Sequence, residues 1–76
     1  EKPLRRDELA AYDIVWVEPV SMDSHLRMEL RGWYHVQTRF VENEVGQRFY
    51  LDFYDTKWLA FANGPEIRHS NEPETK

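Results

Sequence analysis

From Leu26 to Phe40 the chain alternates between two chemistries. The even positions read Leu26, Met28, Leu30, Gly32, Tyr34, Val36, Thr38 and Phe40; the odd ones read Arg27, Glu29, Arg31, Trp33, His35, Gln37 and Arg39. A period of two places successive side chains on opposite faces of a β-strand. The pattern therefore predicts a long strand with an apolar face and a cationic face carrying Trp33 and His35. A helix would gather Leu26, Leu30, Trp33, Phe40 and Val41 on one stripe. It leaves Met28 and Val36 off that stripe and carries Gly32 inside, at a cost of about 1 kcal/mol relative to Ala. Fifteen residues exceed an ordinary strand of about 3–10 residues, so Gly32 is the expected place for a bend, bulge or turn.

The neighbouring segments extend the pattern. Asn43-Glu44-Val45-Gly46 reads as a turn. Placing Glu42 opposite Gln47 sets Phe40 against Phe49, Thr38 against Leu51 and Val36 against Phe53, apolar facing apolar. The other face then pairs Arg39 with Tyr50, Gln37 with Asp52 and His35 with Tyr54. A slip of one residue would set Phe40 against Tyr50, mixing core with surface, so the unslipped register is expected. Phe49–Tyr54 is then a strand with Phe49, Leu51 and Phe53 inward, and Asp55-Thr56-Lys57 a second turn. Trp58 to Ala62 is a further strand, with either Leu59 and Phe61 or Trp58, Ala60 and Ala62 inward. Upstream, Asp7 to Tyr12 fits one or two helical turns with Asp7 as N-cap. Ile14-Val15-Trp16-Val17 reads as a strand buried on both faces, with Pro19 marking its end or an edge. Ser21 to Ser24 is a loop.

These elements predict a β-dominated α+β domain: a short N-terminal helix, then about four antiparallel strands as a meander or small, partly open barrel. The bent strand, tight turns and leading helix resemble small barrels of the SH3-like or Sm-like kind, a likeness of fold that names no function. Residues 1–65 form the expected domain, and 66–76 an expected flexible acidic tail.

Composition narrows the choices. A chain of 76 residues without cysteine has neither disulfides nor thiolate-bound zinc to support it. Small domains bury a modest share of their surface, so three Trp, four Tyr and four Phe, or a second copy, must supply the stability. The net charge of −4 argues against wholesale nucleic-acid binding. That acidity lies in the flanks, since positions 25–61 hold five basic and five acidic residues. No apolar run approaches the roughly 18 residues that span a membrane, and the start carries no signal-peptide pattern; a cytoplasmic setting is expected.

Candidate chemistry is sparse. His25, His35 and His69 share no ligand spacing, so no metal and no cofactor are expected. The hydroxyls of Ser21, Ser24, Thr38, Thr56, Ser70 and Thr75 lie in no activating context. The carboxylate pairs Glu42/Glu44 and Asp52/Asp55 lack an enclosing pocket, so the chain is not expected to be an enzyme. What remains is the outer face: Arg27, Arg31, Trp33, His35, Arg39, Arg48, Tyr50 and Tyr54. Trp, Tyr and Arg are the usual anchors of protein interfaces, and this face is the expected site for a protein partner or a second copy. The same mixture suits single-stranded RNA or DNA, with bases stacked on rings and Arg following phosphates. The uncharged run through Trp58, Ala60 and Ala62 is a possible oligomer edge.

Overall fold

A computed structural model describes residues 2–65 of the chain; the expected tail lies outside them. A leading 3-10 helix (Arg6–Ala11) precedes β1 (Ile14–Pro19), α1 (Ser24–Leu30), β2 (Gly32–Val36), β3 (Phe40–Glu42), β4 (Arg48–Tyr50), a 3-10 turn (Leu51–Phe53) and β5 (Trp58–Phe61). The five strands form one antiparallel sheet in the order β4-β3-β2-β1-β5. It curls into a half-barrel. The expected small, partly open, β-dominated barrel is present. β5 returns to pair with β1 rather than continuing the meander from β4.

The long strand expected over 26–40 is corrected. Its first part is α1, its middle is β2, and β3 begins only at Phe40. Leu, Arg, Met and Glu are good helix formers, and the run Leu26-Arg27-Met28-Glu29-Leu30 has no β-branched residue to oppose a helix. His25 Nε2 lies 3.6 Å from Glu29 Oε1, one turn on. Gly32, at φ 155°, makes the passage from helix to strand. After it come Trp33, Tyr34 and Val36, residue types that favour a pleated, half-buried surface. The Tyr34 hydroxyl donates to Leu30 O at 2.7 Å, satisfying a carbonyl that the end of α1 would leave orphaned.

The register is the slipped one. Phe40 stands opposite Tyr50, Val41 opposite Phe49 and Glu42 opposite Arg48. Turn chemistry accounts for it. Asn43 N donates to Gln47 O at 3.0 Å, and Asn43 Oδ1 accepts from Val45 N and Gln47 N at 3.2 and 2.9 Å. Three residues therefore span the hairpin, with Gly46 at φ 92° in the left-handed position that such a loop demands. The β2–β3 turn also changes parity, because Val36 pairs with Val41. Phe40 consequently points out and Val41 in. The expected strand to Tyr54 ends at Tyr50, where the 3-10 turn leaves Phe53 exposed rather than inward. The helix expected at Asp7 starts one residue earlier, and Glu8 Oε1 accepts from Arg5 N at 2.7 Å. β1 buries one face, not two: Val15, Val17 and Pro19 are covered, while Ile14, Trp16 and Glu18 alternate with them.

The core lies inside the curl. Val15, Val17, Tyr34, Val41, Trp58 and Ala60 are fully buried with Leu9 of the leading helix, and Val36, Phe49, Leu51 and Leu59 pack against them. Trp58 connects the two edges of the sheet. From β5 its indole N–H donates to Tyr50 O on β4 at 2.9 Å, and its ring meets Phe49 at 5.7 Å and Tyr54 at 4.8 Å. The leading segment closes the remaining gap. Leu4 N donates to Ala60 O at 2.8 Å, and Arg6 Nε donates to Leu51 O at 3.2 Å. The Tyr54 hydroxyl accepts from Ala60 N at 3.1 Å and donates to Leu4 O.

Trp58→Ala should cost about 3–5 kcal/mol, comparable to the whole stability of a small domain, and abolish the cooperative urea transition. Burial pushes the Tyr34 and Tyr54 phenols above their ordinary pKa of 10.0. Each is held neutral by the fold, so its contribution is complete below pH 10.0 and is lost as the pH rises past that value. Above that pH the urea midpoint should fall, and less steeply in Tyr34→Phe; equal slopes in both proteins would contradict the assignment.

Candidate functional site

Cross-strand register determines what the convex, outer face presents. Trp16 stands opposite Trp33 on one side and Phe61 on the other. In the next row Ile14 faces His35, His35 faces Glu42 and Glu42 faces Arg48. A third row sets Phe40 beside Tyr50. Part of this face is open: Trp33 is 42% exposed, Ile14 41% and Tyr50 43%, while Phe61 at the β5 end is buried. The face thus holds two aromatic patches separated by a polar row.

The first patch is held by its neighbours. The Trp16 and Trp33 rings meet edge to face, with centroids 5.4 Å apart, an arrangement favoured by the ring quadrupole. Trp16 Nε1 donates to Glu18 Oε2 at 3.0 Å. Arg31, at the end of α1, lies 4.0 Å from the same carboxylate. In the second patch Arg48 stacks over Phe40 at 4.2 Å and meets Glu42 Oε2 at 3.2 Å. Hydrogen bonds to Tyr50 and Glu42 push the Arg48 pKa above its usual value. Such exposed pairs add little to stability, but each neutralises an arginine expected to face a partner.

The expected site residues are only partly gathered. Trp33, His35, Arg48 and Tyr50 share the outer face. Arg27 lies on α1 and Arg39 in the β2–β3 turn, both exposed, so the continuous cationic stripe is broken among a helix, a strand and a turn. Tyr54 is corrected most sharply. Rather than facing out beside His35, it is 7% exposed, packed on Trp58 inside the curl. Trp58 and Ala60 are buried, and Ala62 is half-buried beyond the end of β5. At Ala60 both backbone groups on the free edge are taken within the chain, by Leu4 and Tyr54.

Ile14 and Trp16 stand on the same outer face and are absent from the expected set. Glu18, two and four residues on, was the available signal: a carboxylate in phase with them marks their side of β1 as the exposed one. Beside them lies a shallow groove. Ile14, Trp33 and His35 line its floor, and Asn43, Glu44 and Val45 of the β3–β4 hairpin tip form a wall. Val45 projects from that tip at 78% exposure. Such a surface can take an apolar side chain against Trp33 and Ile14 and offer polar contacts from His35 and Asn43.

Comparison of the chain with family models, with curated proteins and with solved structures finds no match. Among the described residues no helix is long and apolar enough to cross a membrane.

The three tryptophans should respond differently to acrylamide. Trp33→Phe should remove most of the quenchable emission, because Trp33 is the exposed indole and Trp58 is sealed. Unchanged quenching in Trp33→Phe would place the exposed indole elsewhere.

Proposed function

We propose that this domain is a non-catalytic interaction module that binds a protein partner, or a second copy of itself, through the outer face of the sheet. One observation carries the reading: a tryptophan, an isoleucine and a tyrosine stand open on one face of a domain whose core is otherwise closed. Monomeric proteins seldom leave contiguous apolar surface without a use, and aromatic side chains dominate the energetics of interface centres. Trp33, with Trp16 behind it and Ile14 beside it, is the anchor; Tyr50 and Phe40 form a second contact. His35 and the Glu42–Arg48 pair between them supply polar contacts. A small accessory or regulatory protein of the cytoplasm is the setting this reading suits.

Charge favours protein over single-stranded nucleic acid as the ligand. Arg31 and Arg48 already meet carboxylates on this face, and Arg27 and Arg39 lie off the strands. A backbone-tracking groove requires unpaired cations in line.

The test is photo-crosslinking from position 33 of the full chain, with a benzophenone amino acid in place of Trp33, in extract of the source cells. The expected result is a covalent adduct to a polypeptide, suppressed by excess wild-type chain and not by Ile14→Asp chain. An adduct no stronger than one formed from exposed position 57, or one removed by nuclease, would overturn the reading.

A further inference from the structure

We infer that the groove beside Trp33 takes a short extended peptide in which an apolar side chain is followed or preceded by Lys or Arg. This rests on the interaction reading above and deepens it by naming the partner's chemistry.

Shape comes first. The floor offers Ile14 and Trp33 as apolar contacts, and Gly32 adjoins it with open space where a side chain would begin: a Cβ there would meet nothing within 4 Å. The wall is preorganised. Asn43 holds the hairpin tip through Val45 N, Gln47 N and, from its amide nitrogen, Gln47 Oε1 at 2.7 Å, with Gly46 N returning to Asn43 O at 3.1 Å. A wall already held in place loses little freedom on binding. The apolar side chains lining the groove are Ile14, Trp33 and Val45, room for one side chain rather than a helix face, so the ligand is an extended segment with a single apolar knob.

Charge decides what flanks that knob. Glu44 is the carboxylate among the groove-lining residues, and it makes no ion pair among the described residues. The cations nearest this face, Arg31 and Arg48, are already matched by Glu18 and Glu42. A ligand's Lys or Arg therefore meets an unmatched carboxylate, while an acidic residue or a phosphate meets repulsion. The net charge of −4 acts in the same direction at longer range.

The experiment selects random short peptides displayed on phage against the full chain. Selected peptides are then titrated by fluorescence anisotropy against the wild-type chain, Val45→Asp, Trp33→Ala and Glu44→Lys. Val45 and Glu44 lie on the exposed hairpin tip, so those two chains keep the fold even if Trp33→Ala does not. The expected peptides carry an apolar residue next to Lys or Arg and bind Val45→Asp at least about tenfold more weakly. Glu44→Lys should weaken them about two- to fivefold, the range of one exposed ion pair, and should favour versions with Glu in place of the basic residue. Peptides that need Val45 but are indifferent to Glu44→Lys, or that are acidic, would overturn this inference and leave the interaction reading standing. Peptides that bind Val45→Asp and Trp33→Ala like the wild type, or no selected peptides at all, would overturn both. A labelled single-stranded oligonucleotide bound at the groove, and lost in Val45→Asp, would overturn the peptide assignment.

Discussion

The half-barrel depends on the Trp58 indole. A curled sheet with two edges must hold those edges near each other, or it opens and its inner face meets water. Trp58 does this from β5, filling the interior with its ring while its N–H reaches the Tyr50 carbonyl on β4. That single bond answers two requirements together. A buried indole N–H needs an acceptor, and an edge-strand carbonyl needs a donor. Phe49 and Tyr54 then pack against the ring from β4 and from the segment before β5.

Closure on the inside frees the outside. The leading segment, rather than a second chain, occupies the β5 edge at Ala60 and reaches the carbonyl of Leu51 beyond β4. Tyr54 serves this closure by receiving Ala60 N–H and donating to Leu4 O. With edges and core occupied within the chain, the outer face is left to other uses, and Trp33 and Ile14 stay in water. Of the two sources of stability expected for a cysteine-free chain, aromatic burial is present, gathered around Trp58.

Much of this was legible in the residue pattern, and the errors have specific causes. The β-dominated barrel, the turn at Asn43–Gly46 and the exposure of Trp33 and His35 all follow from alternation and turn residues. Alternation misled at 26–30, where Leu-Arg-Met-Glu-Leu fits a period of two and a single helical turn equally well. Helix propensity decided that segment in the fold. The register erred because matching apolar residues across the hairpin ignored the turn. The Asn43 side chain and the left-handed Gly46 select a three-residue loop, and an odd loop shifts the pairing by one. Tyr54 lies inside because β4 ends at Tyr50: the 3-10 turn at Leu51–Phe53 has no strong sequence mark. Arg27, Arg31 and Arg39 share one face only by parity, and parity lapses wherever a strand gives way to a helix or a turn.

Trp58 lies at the structural centre and Trp33 at the surface, a contrast that indole hydrogen exchange reads directly. The three Trp side-chain N–H resonances can be followed by NMR after transfer to deuterium oxide. The Trp58 indole should exchange only through global unfolding, as slowly as the most protected core amides, because it is buried and bonded to Tyr50 O. The Trp33 indole should be gone in the first spectrum. A Trp58 indole that exchanged as fast as that of Trp33 would show that the two edges of the sheet are not held together in this way, and the account of the fold would fail at its centre.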